Sequence, residues 1–154
     1  MALKKRTLTL ESDCDFSIIG ISCHIADYRF VHFLNKIQNF NFVRLDEFEF
    51  FVKSIKDSLK FPFYLFDDNE NYTSYYVIAN RSKDGILVNE WKMFDYLMIS
   101  NSNLNEVKLK ALTALLRNIP GVLAISNLQI EKKTEIEKLL ADIEIYILNF
   151  HKKR

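Results

Sequence analysis

The chain has 154 residues, of which 49% are hydrophobic, and its formal net charge is +1. These values indicate one globular domain with a single core and exclude a disordered chain. The near-neutral charge gives no overall electrostatic attraction to nucleic acid or to anionic lipid. No stretch approaches the roughly 18 uninterrupted apolar residues of a membrane span, and residues 1–10 are too short and too charged for a signal sequence. We therefore expect a cytoplasmic protein without membrane contact.

The first third of the chain predicts strand, strand, helix and strand. Residues 7–11 alternate between apolar and polar side chains, as in a short strand. Residues 16–23 are nearly continuously apolar and rich in β-branched side chains, which is typical of a strand covered on both faces. Gly20 within this run predicts a close backbone approach or a bulge. Residues 26–38 carry apolar side chains at helical spacing, and residues 47–53 alternate again.

Aromatic and β-branched residues mark further strands at residues 61–66, 72–80, 86–88 and 94–99. Pro62 removes a donor from the hydrogen-bond ladder and predicts an edge position. Gly85 closes a polar turn and is free to adopt positive φ. Residues 89–92 separate the strand segment 86–88 from the strand segment 94–99. Because the connections are short, the sequence predicts antiparallel hairpins.

The C-terminal third predicts a helix, a strand and a second helix. Asn103 and Glu106 have the spacing of a capping box, and Pro120 ends the helix that follows. Residues 122–130 predict a strand with Val122, Ala124, Leu128 and Ile130 in phase. Thr134 and Glu137 form a second capping box that starts the final helix.

The order of these elements is that of an α+β protein, not the regular alternation of a doubly wound fold. We predict a single domain over residues 1–154 with a mainly antiparallel sheet of about five to seven strands and three helices. The basic tail, residues 151–154, is expected to be flexible.

Cys23 and His24 are the first place to look for a nucleophile and its base. Adjacent side chains in a strand point to opposite faces, so these two do not form such a pair. Cys14 and Cys23 have no zinc or redox spacing, and we expect reduced thiols. The 3 glycines are scattered singly, which excludes a Gly-rich phosphate loop. The sequence therefore predicts no catalytic residue, no metal site and no cofactor.

Charged residues near the predicted turns are the candidates for a binding site: Asp27, Arg29, Arg81, Glu90 and Asp95. Pairing among them is favoured over catalysis, because a general acid–base pair also requires a pocket. Glu90 and Asp95 lie among bulky apolar residues. We predict that at least one of them is drawn partly out of water and accepts hydrogen bonds from backbone donors near residues 89–92, from Arg81 or from Arg29.

A tyrosine-rich strand offers a different function, an RNA-associated accessory protein. Tyr72, Tyr75 and Tyr76 lie on one predicted strand with Tyr64 nearby, and both ends of the chain are basic. Aromatic side chains of RNA-binding sheets stack on bases. The neighbouring acids repel phosphate and make this role the alternative; they are Asp67, Asp68 and Glu70.

The interrupted stretch carries a family resemblance. The segment Val-Asn-Glu at residues 88–90 is followed, after three residues, by Phe-Asp-Tyr at residues 94–96. This pattern resembles the signature of the bacterial IPExxxVDY family, which makes Tyr96 a candidate site residue. The chain departs at Asn89, where the signature has proline. Three further segments are similar to the family: residues 15–22, 27–35 and 80–82. The family carries no assigned activity, so the resemblance implies no reaction and no cofactor.

The function that these observations favour is a non-catalytic protein-binding or assembly module, with a protein partner or a second copy of the chain. Its support is the aromatic fraction of 14%, which exceeds what one small core needs, and an outward-facing Phe51. The weakest alternative is a small enzyme built on Glu90, Asp95 and Arg81.

Overall fold

The structure, a computed structural model, describes residues 16–37, 40–52, 55–129 and 134–153. The predicted strand at residues 7–11 lies outside the described residues. The helices are α1 (Asp27–Ile37), α2 (Glu106–Leu116) and α3 (Thr134–Lys152), and a short 3-10 turn spans Asn89–Trp91. The strands are β1 (Ser17–Cys23), β2 (Val43–Arg44), β3 (Phe48–Val52), β4 (Asp57–Phe61), β5 (Phe63–Asp68), β6 (Thr73–Ala79), β7 (Arg81–Ser82), β8 (Gly85–Ile86), β9 (Tyr96–Ser100) and β10 (Val122–Leu128).

Six strands form one sheet in the order β10-β1-β9-β6-β5-β2, and every neighbouring pair is antiparallel. Two small sheets, β3–β4 and β7–β8, complete the fold. The predicted single α+β domain with a mainly antiparallel sheet and three helices is confirmed. No helix within the described ranges is long and apolar enough to cross a membrane.

The sheet is covered on both faces. Helices α1 and α2 pack on one face with Ile19 and Ile21 of β1, whereas α3 and the β3–β4 hairpin pack on the other with Ile18. Successive strand residues point to opposite faces, so a strand between two layers is apolar at nearly every position. This explains the continuous apolar run of β1, which lies inside the sheet as predicted.

Gly20 provides the close backbone approach that the sequence predicts. A Cβ atom at this position would lie 2.7 Å from the ring of Phe94, so the ring occupies the space that a side chain would need. Phe94 lies three residues after the end of the 3-10 turn and packs in the core with residues of α3. The absence of a side chain at residue 20 therefore sets how closely the turn approaches β1.

The position predicted for Pro62 is wrong. Its strand, β5, does not lie at the edge, because β2 pairs with Tyr64 and Leu65 on the outer side. Pro62 instead separates β4 from β5, where the chain passes from a small sheet to the large one. A residue without an N–H suits this interruption of the ladder, and its carbonyl accepts a hydrogen bond from the Ala79 N–H at 3.1 Å.

Two further local predictions need correction. Asn105, not Asn103, caps α2, since its side chain accepts a hydrogen bond from the Lys108 N–H at 2.8 Å. In β10 the partly buried residues are Val122, Ile125 and Leu128. The register with β1 skips Leu123, and this bulge changes the phase of the strand.

The apolar stripe predicted for α3 is confirmed: Ile136, Leu139, Leu140, Ile143 and Ile147 are buried.

Candidate functional site

A cleft of about 770 Å³ opens at one end of the sheet, where β1 and β6 end and β9 begins. The residues that follow β1 and lead into α1 form one wall, and the β7–β8 hairpin forms the other. Antiparallel order places the ends of β1 and β6 beside the start of β9, so segments distant in sequence meet here. Four of the six predicted site residues line this cleft: Asp27, Arg81, Asp95 and Tyr96.

Asp95 ties three segments together at the cleft. Its Oδ2 accepts a hydrogen bond from the Cys23 N–H at 2.7 Å, and its Oδ1 lies 3.4 Å from the Arg81 Nε. Its own N–H donates to the Ile21 carbonyl at 2.8 Å. The Asp95 side chain is only 18% exposed. The predicted partly buried carboxylate with an arginine partner is therefore confirmed for Asp95, although its backbone donor is Cys23 and not a residue near 89–92.

Asn80 is the residue that the sequence analysis missed. It is fully buried between β6 and β7. Its Nδ2 donates to the carbonyls of Trp91 at 2.8 Å and Phe94 at 3.0 Å, and its Oδ1 accepts from the Val88 N–H at 2.9 Å. One side chain therefore satisfies both ends of the 3-10 turn. The available signal was a single amide between an apolar strand and a polar turn, which also fits an ordinary turn residue.

Asp27 is held by two residues from other elements. The Tyr64 hydroxyl donates to its Oδ2 at 2.6 Å, and the Arg44 Nη1 lies 3.0 Å from the same oxygen. The Arg44 Nη1 also lies 3.3 Å from the Tyr64 hydroxyl oxygen. Burial, and then the hydrogen bond to Asp27, raise the pKa of Tyr64 to about 12, so this phenol remains a donor at neutral pH.

Tyr96 fixes the wall between β1 and α1. Its hydroxyl donates a short hydrogen bond to the carbonyl of Ile25, which precedes the helix. Its ring stacks on Phe30 of α1, with the ring centres 4.8 Å apart. Burial is the main cause that raises the pKa of Tyr96. The helix start is therefore anchored to β9 by one hydrogen bond and one stacked ring.

Cys23 forms part of the cleft floor and is 1% exposed. Burial raises the pKa of its thiol, which keeps the sulfur in its less nucleophilic protonated form. The side chain of His24 is exposed to solvent. Among the described residues, no group of three or more His, Cys, Asp or Glu side chains is placed to hold a metal ion.

The remaining predicted residues do not join this site. Arg29 is exposed on α1 and Glu90 is exposed on the 3-10 turn, and neither lines the cleft. The tyrosines of the predicted strand do not form one open aromatic surface: Tyr72, just before β6, is 92% exposed, but Tyr76 is buried and Tyr75 is half-buried against Phe66.

The rim of the cleft carries charges of both signs. Lys60 and Lys83 supply the positive charges, and Glu47 and Asp84 supply the negative ones. All four residues are exposed. The cleft between them is lined by acidic and apolar side chains: Asp27, Asp95, Ile25, Pro62, Ala79 and Tyr96. This arrangement suits a ligand that carries charges of both signs.

No protein-family model matches the chain, and a search of curated proteins finds no match. The functional interpretation therefore depends on the side chains that line the cleft.

Proposed function

We propose that the protein is a non-catalytic protein-binding module, and that its cleft receives a segment of a partner protein bearing both positive and negative side chains. The observation that carries the proposal is that the two half-buried acids of the cleft, Asp27 and Asp95, already have partners within the protein. Asp27 accepts hydrogen bonds from Tyr64 and Arg44, whereas Asp95 accepts one from the Cys23 N–H and forms an ion pair with Arg81. A general base needs an oxygen within reach of the proton it removes, whereas these oxygens are used to hold the cleft walls together.

The charged rim of the cleft supports recognition of a protein segment. Charges of alternating sign on such a rim select the partner and fix its register more than they add affinity. Lys60 of β4 and Lys83 of the β7–β8 turn both line the cleft, so a bound segment would meet positive charge from two elements. Glu47 and Asp84 then require compensating basic residues on the partner.

The two alternatives have weaker support. An RNA-associated role would use the tyrosines of β6, but Tyr76 is 3% exposed and Tyr75 packs on Phe66. An enzyme built on Glu90, Asp95 and Arg81 would need the three side chains in one pocket, and Glu90 lies outside the cleft. A cytoplasmic location and membership of the IPExxxVDY family remain predictions.

The proposal is tested by affinity purification of the chain from its native cells, with and without nuclease treatment. The cleft variant carries Lys60→Glu and Lys83→Glu. Its matched control carries Lys36→Glu and Lys108→Glu, which make the same change in net charge on α1 and α2. We expect one stoichiometric protein partner with the wild type and the control, and an affinity about tenfold weaker or worse with the cleft variant.

The outcomes separate the candidates. A partner that is retained by the cleft variant contradicts the cleft proposal. Loss of all partners after nuclease treatment supports the RNA-associated role instead. The identified partner should then bind the purified wild type directly, and mutation of its basic and acidic residues should weaken binding to the same degree.

A further inference from the structure

Strand β10 forms one edge of the six-stranded sheet. It pairs with β1 through the register Ile18 with Leu128 to Cys23 with Val122. Along the stretch of chain that the structure describes, no strand pairs with its other side. Leu123 is 65% exposed, and the polar residues Ser126 and Asn127 are exposed as well. Within the described ranges, the outer hydrogen-bonding groups of this strand therefore have no strand partner.

The composition of β10 is unusual for an open edge. Proteins discourage unwanted strand pairing with charged side chains, prolines, bulges or very short edge strands. The seven residues of β10, Val-Leu-Ala-Ile-Ser-Asn-Leu, contain no charge and no proline. Its bulge lies at Leu123, which leaves the following five residues in regular register with β1.

The opposite edge of the sheet has the expected protection. Strand β2 is two residues long and contains Arg44, whose guanidinium pairs with Asp27. One edge is therefore short and charged, whereas the other is long and uncharged. This contrast within one sheet indicates that β10 is used for association.

We infer that β10 pairs with the β10 strand of a second copy of this chain, antiparallel and about a two-fold axis at Ile125. Within the five residues that follow the bulge, this register places Ile125 opposite itself and Ala124 opposite Ser126. No like charges meet across the pair, and the net charge of +1 adds little repulsion between copies.

The inferred pairing is closed and symmetric. Each copy offers the same strand to the other, as in the two-fold dimers that are commonest among oligomers, and no edge of this kind remains for further growth. The result is a continuous sheet with six strands from each copy. The inference is independent of the cleft proposal, because a dimer can form whether or not the cleft binds a partner.

The test uses charge at the two positions that face each other. Ala124→Lys with Ser126→Lys places lysine opposite lysine on both sides of the axis, and Ala124→Glu with Ser126→Glu does the same with acids. Sedimentation equilibrium should show a dimer for the wild type and a dissociation constant at least about tenfold higher for each variant. An equimolar mixture of the lysine and glutamate variants should restore the dimer, because opposite charges then pair.

The matched control adds two lysines elsewhere, at Val43 on β2 and Ser58 on β4, and should dimerise like the wild type. Circular dichroism confirms that each variant is folded. A wild type that stays monomeric at its solubility limit overturns the inference, as does a dimer that both charged variants leave intact. A mixture that stays monomeric while both variants are folded overturns the register.

A second measurement needs no variant. Amide hydrogen exchange of wild-type β10 should slow as the protein concentration rises, because pairing protects the outward N–H groups. Exchange that is independent of concentration across the dimer transition contradicts pairing through β10.

Discussion

The carboxylate of Asp95 accepts a 2.7 Å hydrogen bond from the backbone N–H of Cys23, a residue 72 positions earlier in the chain. Arg81 approaches the other carboxylate oxygen, and the Asp95 N–H bonds to Ile21. The start of β9 is thus fastened to the end of β1 by both side chain and backbone. This fastening sets the shape of the cleft floor.

Removing the Asp95 carboxylate should destabilise the fold. Asp95→Ala removes the acceptor of the Cys23 N–H and the ion-pair partner of Arg81, and hydrogen bonds to charged groups contribute roughly 1–3 kcal/mol. We expect the melting temperature to fall by several degrees, at about 2–4 °C per kcal/mol for a chain of this size. Arg29→Ala, at an exposed position on α1, should change the stability by less than about 0.5 kcal/mol.

Thermal melts of the two variants provide the measurement. If Asp95→Ala leaves the melting temperature unchanged or raises it, the structural role is contradicted. Such a result favours a binding or catalytic role, since functional carboxylates are often strained and their removal can stabilise.

Asn80→Ala should be more damaging than Asp95→Ala. It leaves the Val88 N–H and the carbonyls of Trp91 and Phe94 without their partner in a buried site. Unsatisfied buried groups of this kind cost about 1–3 kcal/mol each, and we expect a total loss of roughly 2–4 kcal/mol after relaxation. Urea unfolding measures the loss. Asn118→Ala, at an exposed position, is the control, and an equal effect of both changes would refute the role of Asn80.

Alkaline pH should destabilise the protein in part through Tyr64. Its pKa is about 12 in the folded protein and about 10 in an unfolded chain. Because the folded state holds this proton more tightly, the stabilisation is complete below about pH 10 and is lost as the pH rises from about 10 to about 12. Each such group lowers the free energy of unfolding by roughly 1.4 kcal/mol per pH unit within this range.

Urea unfolding at pH 10 and pH 11 tests the contribution of Tyr64. The Tyr64→Phe variant should lose about 1 kcal/mol less than the wild type between the two values, although it starts less stable because Asp27 loses a donor. Tyr28→Phe, on the exposed surface of α1, is the matched control. Identical slopes for Tyr64→Phe and the wild type would contradict the assignment.

Gly20→Ala should destabilise the fold through overpacking. The new methyl group would lie 2.7 Å from the Phe94 ring, and inserting a methyl group into a packed core costs typically about 1–3 kcal/mol. A smaller residue at position 94 should relieve the clash. In a double-mutant cycle, Phe94→Leu should therefore cost less in the Gly20→Ala background than in the wild type. Strictly additive effects would show that the two residues do not compete for this space.

Local patterns in the sequence were sufficient for most of the fold. The apolar stripe of α3 and the apolar run of β1 each depend on how one element faces the core. The spacing of apolar residues along that element is therefore enough to predict them. Arg81 and Asp95 were also predictable as partners, since both flank the same pair of turns. The sequence did not predict the phase of β10, because a bulge depends on the partner strand and not on the strand itself.

The Asp27 cluster shows what local reasoning cannot reach. Tyr64 is 37 positions and Arg44 is 17 positions from Asp27, and only the antiparallel order of β2 and β5 brings them together. The central place of Asn80 was missed for a related reason. A buried amide and an exposed turn amide look the same in sequence, and the difference lies in the carbonyls that the fold brings within 3.0 Å.

The two neighbours of β1 have a consequence for how the chain acquires its structure. Ser17 pairs with Ser100, and Ile18 pairs with Leu128, so both partners of this strand are made long after it leaves the ribosome. Pairings of such high sequence separation slow folding, because a long loop must close before any contact compensates for the lost entropy. During synthesis, the most apolar strand of the sheet remains unpaired until β9 and β10 emerge. That interval is when the nascent chain is most exposed to aggregation and to chaperones.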